Sequence, residues 1–228
     1  MRRRQLLQGV TAGGAAGLAG CLSRFRNDDS SVVLDPPEDR RFDSDDLPYP
    51  AHGEELPSVS LPNPLTGEQV ATEELDETLL VTGFFATCPA ECVQLIGQLT
   101  GVQQGTVDEG IAESVRFLAI TFDPARDDER ALREYADRMR IDLDVGNWAF
   151  LRPSDPATAE RVVDERLGIT FERVAAEESP RVEGYDFTHL SLTFLVNPEG
   201  YVERAYRSSQ PDAERVLSDT RTVVEQSG

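Results

Sequence analysis

The sequence predicts an α/β domain in which helices flank a mixed β-sheet. Two short apolar runs, Leu79–Phe85 and Val115–Phe122, are rich in β-forming residues and have the length of buried strands. A stretch with helical spacing of apolar residues follows each run, so we expect the first strands to be parallel and joined by helices. Two further strand-like segments flank the turn Asn197–Gly200 and predict an antiparallel hairpin. Together these patterns indicate a mixed sheet.

The elements of the first half follow from local patterns. Ser58–Leu61 and Glu68–Ala71 are short candidate strands separated by the turn Asn63–Gly67. After the strand Leu79–Phe85, we expect a helix over about Pro89–Leu99. Proline is tolerated in the first helical turn, and the apolar residues that follow it recur at helical spacing.

The second half repeats the alternation of strands and helices. After the strand Val115–Phe122 comes a turn at Asp123–Asp127 and then a helix over Asp128–Arg140. The remaining expected elements are a strand at Trp148–Leu151, a helix at Thr158–Leu167 ended by Gly168, hairpin strands at Leu192–Val196 and Tyr201–Tyr206, and a helix from about Asp212 to Gln226. A mixed sheet in this order, with cysteines directly after the first core strand, is typical of a thioredoxin-like fold.

The composition is strongly acidic. The 228 residues include 42 Asp and Glu against 22 basic residues, all of them arginine, for a formal net charge of −20. Proteins that bind nucleic acids neutralise phosphates with clustered Lys and Arg, so this balance argues against a nucleic-acid partner. The self-repulsion is tolerable in molar salt, where the Debye length is about 3 Å. We therefore expect a salt-loving source organism.

Residues 1–20 have the features of an export signal. A basic start precedes a weakly apolar run that is too short to span a membrane. Arg3–Leu7 resembles a twin-arginine signal, which is used for proteins exported already folded. Leu18–Cys21 resembles a lipobox, in which Cys21 is lipidated and becomes the first mature residue; the alternative is an ordinary cleaved signal with an incidental cysteine. We expect a lipid anchor at Cys21 on the extracytoplasmic face of the cell membrane.

Residues 21–56 have the composition of an acidic, flexible tether. They contain several runs of acidic residues with Ser or Pro and few apolar residues to bury. His52 lies near the end of this stretch, and we interpret it as a solvated residue rather than a ligand. The folded domain is then expected over residues 57–228.

The candidate functional residues are Cys88, Cys92 and His189. The cysteines lie where a strand gives way to a helix N-terminus, and the free amides and the helix dipole there favour a thiolate. On one helix their Cα atoms would be about 6 Å apart, which allows a strained disulfide or a shared metal ion.

A histidine in a loop is by itself most simply a surface residue. In a thioredoxin-like fold, however, the loop before the hairpin returns over the first helix and would bring His189 to the thiols. Two thiolates and one imidazole suit a soft or borderline metal such as Cu(I), whereas a closed zinc site would need a fourth ligand that does not stand out.

Three segments together resemble the Sco/SenC family of membrane-tethered, thioredoxin-like copper proteins. They are Gly83–Cys92, the turn Asp123–Asp127, and His189 ahead of Phe194–Gly200. The resemblance covers about Leu56 to Gln226. One departure is Val93, because family members usually carry proline directly after the second cysteine.

The resemblance implies that Cys88, Cys92 and His189 bind copper, as Cu(I) or Cu(II). It also implies that Asp123 supports the site without being one of the ligands. A role of Asp123 as a turn residue at a helix start explains it equally well. The resemblance also implies a metallochaperone that helps assemble the dinuclear copper site of cytochrome c oxidase subunit II. The protein would deliver copper, reduce the cysteines of that subunit, or do both.

A second hypothesis follows from the two thiols alone. An extracytoplasmic thiol–disulfide oxidoreductase or peroxidase would use Cys88 to attack its substrate and Cys92 to resolve the intermediate. The lack of a Cys-x-x-Cys pair weakens this hypothesis. We therefore do not expect a turnover enzyme, although a thiol–disulfide reductase activity fits the same pair.

Overall fold

The computed structural model describes residues 31–37, 47–175 and 184–227. The expected export signal and Cys21 lie outside these residues, and both stay predictions. The described residues all belong to one compact unit. In the part of the chain that the structure describes, no helix is both long enough and apolar enough to cross a membrane.

The described residues contain nine strands, four α-helices and three short 3-10 helices. In chain order the strands are β1 (Ser60–Pro62), β2 (Gln69–Ala71), β3 (Thr78–Phe84), β4 (Val115–Thr121), β5 (Trp148–Leu151), β6 (Phe171–Ala175), β7 (Tyr185–His189), β8 (Thr193–Val196) and β9 (Val202–Tyr206). The helices are α1 (Glu91–Asp108), α2 (Glu129–Met139), α3 (Pro156–Ala159), which continues as a π-helical stretch over Glu160–Arg166, and α4 (Ala213–Ser227).

The central sheet has five strands in the order β5–β4–β3–β8–β9. Strand β3 is parallel to β4, and β4 is parallel to β5. Strand β8 is antiparallel to both β3 and β9. The predicted mixed sheet, with parallel strands on one side and an antiparallel hairpin on the other, is therefore confirmed.

Both faces of β3 are covered. Successive side chains of a strand point to opposite faces of the sheet, and every residue of β3 is buried. At the end of β3 the ring of Phe84 lies 5.2 Å from that of Tyr135 on α2. The preceding residue, Gly83, faces the other side, where an added Cβ would lie 3.0 Å from Ile169 and 3.4 Å from Val163 of the π-helical stretch. The fully buried strand β3 is thus the centre of the core.

Helix α1 differs from the prediction at both ends. It begins at Glu91 rather than Pro89 and continues to Asp108 rather than ending at Leu99. Its last turns contain Gly105, which suggests an end to a helix in the sequence because glycine is a poor helix former. The structure gives this glycine a packing reason: a Cβ there would overlap the side chain of Leu217 on α4.

The region before the hairpin also differs from the prediction, which placed His189 in a loop. Strands β6 and β7 pair with each other as a separate two-stranded antiparallel sheet. We call these two strands the ribbon. His189 is the last residue of β7 and lies opposite Phe171 of β6.

The predicted tether over residues 21–56 needs correction where the structure describes it. The backbone N–H groups of Val33 and Leu34 donate to the carboxylate of Glu203, a fully buried residue of β9, at 2.8 to 3.0 Å. Leu56 is buried, and its N–H donates to the carbonyl of Gly200 at 2.9 Å. Residues 31–34 and 47–56 therefore belong to the folded unit, because a buried carboxylate and the start of an edge strand need their backbone groups as partners.

Candidate metal centre

Cys88 lies in a turn rather than on a helix. Its N–H donates to the carbonyl of Phe85 at 3.2 Å, and α1 begins three residues later. The N–H of Cys92, in the first turn of α1, donates to the sulfur of Cys88 at 3.3 Å. The sulfur therefore accepts one of the amide groups that a helix N-terminus leaves free, which favours its thiolate form.

The end of β7 brings His189 to this turn. Its Nε2 lies 3.4 Å from the Sγ of Cys92, although 97 positions separate the two residues. The ring packs edge-on against Phe85 at 5.9 Å and lies 5.3 Å from Phe122. The two sulfurs and a ring nitrogen all lie within 4.8 Å of one another.

The two thiols differ in their electrostatics. Hydrogen bonding from Cys92, and to a smaller extent from His189, lowers the pKa of the Cys88 thiol to about 5 despite its burial. Burial and the neighbouring Cys88 raise the pKa of the Cys92 thiol well above its usual value. The Cys88 thiol is therefore the more easily deprotonated of the two, and the two cysteines are not joined in a disulfide.

These residues fit a copper ion. Two sulfurs and one imidazole nitrogen are donors that Cu(I) prefers, and three ligands leave a position open for exchange. Among the described residues, these three form the group of close donors, and the carboxylate of Glu91 lies beside it, with Oε2 4.0 Å from the Sγ of Cys88. The Nδ1 of His189 is buried and has no hydrogen-bond partner among the described residues, so Nε2 is the ring nitrogen that faces the sulfurs.

Asp123 lies behind the site and touches none of the three candidate ligands. Its buried carboxylate forms an ion pair with Arg126 and accepts a hydrogen bond from the hydroxyl of Tyr185 at 2.7 Å. Tyr185 is the first residue of β7. The contacts of Asp123 therefore connect it to β7, the strand that carries His189.

The sequence analysis missed Asp127 and Arg138 as functional residues. Asp127 accepts a hydrogen bond from the N–H of Ala86 at 3.0 Å, and Arg138 donates to the carbonyl of Ala86 at 2.8 Å. Both peptide groups of the residue two positions before Cys88 are thereby held. Asp127 lies in the turn quoted for the family resemblance, but no local pattern indicates that its partner is the N–H of Ala86.

The chain is similar to known proteins in sequence and in fold. The model of the SCO1/SenC family matches residues 64–225. The chain is 31% identical over 145 residues to the mitochondrial SCO2 homolog of Danio rerio; the match covers 61% of this chain and 48% of that protein. The chain thus spans about half the length of this curated relative.

Solved structures of Sco proteins share the fold. Arabidopsis thaliana ScoI with copper bound has a TM-score of 0.61 and 18% identity, with 76% of this chain and 99% of the other covered. BsSco is a member of the Sco family of cytochrome c oxidase assembly proteins in which a disulfide switch has been identified. It has a TM-score of 0.60 and 23% identity, with 77% and 95% covered. Because the family model covers most of the chain and includes all three candidate ligands, this chain belongs to the SCO1/SenC family.

Proposed function

We propose that this protein binds one copper ion through Cys88, Cys92 and His189. The observation that supports the proposal most strongly is the convergence of two sulfurs and an imidazole nitrogen within 4.8 Å. The thiolate of Cys88 supplies a ready ligand, and Cys92 loses its proton when the metal enters. The open coordination position would allow the ion to pass to a partner, with copper as the cargo.

The partner we propose is cytochrome c oxidase, at the dinuclear copper site of its subunit II. Membership of the SCO1/SenC family supports this assignment, as does BsSco, which belongs to a family of oxidase assembly proteins. We further propose that a lipid at Cys21 holds the protein on the extracytoplasmic face of the membrane, as the lipobox-like sequence indicates.

A second role of the same residues is reduction of a disulfide in the partner. The Cys88 thiolate would attack that disulfide, forming a mixed disulfide and releasing one partner thiolate. Cys92, once deprotonated, would then attack Cys88, leaving a Cys88–Cys92 disulfide and a fully reduced partner. The low pKa of the Cys88 thiol favours this role, because the thiolate is the form that attacks a disulfide.

Copper titration of the purified, reduced protein tests the proposed site. We expect about one tightly bound ion per chain, and much weaker binding in Cys88→Ser and in His189→Ala. His52→Ala is the matched control, because His52 is the second of the two histidines and its Nε2 contacts the carbonyl of Leu34 at 2.7 Å. Unchanged copper binding in His189→Ala would overturn the three-ligand site.

A test in cells addresses the partner. In a strain that lacks this protein, we expect subunit II to contain less copper and to regain it when the wild-type gene is returned. The Cys88→Ser gene should fail to restore the copper content. An oxidase with a full copper complement in the deletion strain would contradict the proposed role.

A further inference from the structure

The position of His189 depends on how the ribbon is held. Strands β6 and β7 pair with each other and not with the five-stranded sheet. An isolated two-stranded ribbon is marginally stable in water, so side-chain contacts must fix it on the domain. Some of these contacts are aromatic: Phe187 of β7 lies 5.2 Å from Phe85 and 5.3 Å from Phe122.

A polar cluster holds the other end of β7, at Tyr185. The hydroxyl of Tyr185 donates to Asp123 at 2.7 Å, and its backbone carbonyl accepts from Arg126 at 2.9 Å. The guanidinium groups of Arg126 and Arg173 lie 3.8 Å and 3.6 Å from the centre of the tyrosine ring. Tyr185 is therefore held through its hydroxyl, its ring and its carbonyl.

The turn Asp123–Asp127 also contacts the segment that leads to Cys88. Asp123 lies two residues after the end of β4, and the N–H of Asp127 donates to the carbonyl of Asp123 at 3.0 Å. At the far end of the turn, Asp127 accepts a hydrogen bond from the N–H of Ala86, two residues before Cys88. One short turn therefore connects the segment that carries Cys88 to the strand that carries His189.

We propose that Tyr185 is a positioning residue for His189. Held by Asp123 and Arg126, it fixes the start of β7 so that Nε2, four residues further on, faces the sulfur of Cys92. This positioning role rests on the proposed function where copper binding is used to measure it. Asp123 acts in this arrangement as the acceptor that anchors the strand.

Tyr185→Phe removes the hydroxyl and keeps the ring between its arginine neighbours. We expect copper affinity, measured by competition with a chelator, to fall about tenfold, as for loss of a group that orients a metal ligand. Tyr206→Phe is the matched control. The hydroxyl of Tyr206 donates to Asp219 at the same distance of 2.7 Å, but Tyr206 lies on the edge strand of the main sheet. The copper affinity of Tyr206→Phe should therefore equal that of the wild type.

A double-mutant cycle separates positioning from general damage. If Tyr185 acts through His189, Tyr185→Phe should weaken copper binding in the wild type but not in the His189→Ala background. Equal losses in both backgrounds would overturn the proposal, because the residue would then act on the sulfurs or on the whole fold. An unchanged affinity of Tyr185→Phe with His189 present would overturn it as well.

If the wild type bound no copper, the proposed function would be wrong, but the positioning role of Tyr185 could still be tested without metal. The ring protons of His189 should show nuclear Overhauser contacts to Phe122, whose ring lies 5.3 Å away. We expect these contacts to weaken in Tyr185→Phe and to persist in Tyr206→Phe. Contacts of full strength in Tyr185→Phe would contradict the positioning role.

Discussion

The two halves of the candidate metal centre are built in different ways. The cysteines follow β3, a fully buried strand that pairs with β4 on one side and β8 on the other. His189 ends the ribbon, which rests on the domain through side chains. The sulfurs thus share the rigidity of the core, whereas the imidazole is held by contacts that can be lost without unfolding the sheet.

This difference would suit the proposed function, in which the site both holds and releases a copper ion. A fixed pair of sulfurs would keep the ion on the protein, and a third ligand on a separately docked strand could be withdrawn at small cost. Substitutions that weaken one half and leave the other intact test this difference.

The largest effect is expected from Phe84→Ala compared with Phe187→Ala. Phe84 is fully buried in β3 against Tyr135 and Phe150, so its truncation should lower the free energy of unfolding by about 3–5 kcal/mol. Phe187 is half-buried in the ribbon, and its truncation should cost about 1–2 kcal/mol. Denaturant unfolding measures both values, and copper competition should show that Phe187→Ala nevertheless weakens metal binding.

If the dependence of the free energy of unfolding on denaturant concentration is unchanged, the same cooperative unit unfolds in both variants. If Phe187→Ala destabilised the protein as much as Phe84→Ala, the ribbon would be part of the main core. The distinction between the two halves would then be wrong.

A smaller, pH-dependent effect is expected at Asp127, which holds the cysteine loop. Burial raises the pKa of its carboxyl from 3.8 to about 7. Between these values the folded protein keeps a proton that the unfolded chain has lost, so this group's contribution to stability falls as the pH rises. Asp127→Asn resembles the protonated acid. We therefore expect its stability relative to wild type to increase from pH 4 to pH 7, by at most about 1.4 kcal/mol per pH unit.

Thermal or denaturant unfolding across this pH range, at constant salt, measures the difference. Asp155→Asn serves as a control, because Asp155 is an exposed helix cap whose pKa is lowered by its hydrogen bond from Ser154. Wild-type and Asp127→Asn curves that run parallel from pH 4 to pH 7 would contradict the burial of an uncharged carboxyl at this position.

The same contrast explains how much the sequence could predict. Apolar runs and helical spacing predicted the central strands, the helices and the position of Cys88 and Cys92 after β3, because burial leaves a periodic pattern. The ribbon was missed because β6 and β7 are short and half-exposed and carry charged residues. The alternation of Tyr185, Phe187 and His189 along one strand was the signal that could have revealed it.

Other details depended on distant contacts that no local pattern encodes. The acidic composition of residues 21–56 predicted a tether, yet the N–H groups of Val33 and Leu34 donate hydrogen bonds to the buried carboxylate of Glu203. The family resemblance pointed to Asp123, but its partner Tyr185 became visible only in three dimensions.

X-ray absorption spectroscopy of the copper-loaded protein identifies the ligands of the ion. We expect two sulfur ligands and one imidazole nitrogen in the wild type, with the imidazole signal absent in His189→Ala and retained in His52→Ala. A copper ion bound by the two sulfurs without an imidazole in the wild-type protein would contradict the three-ligand site.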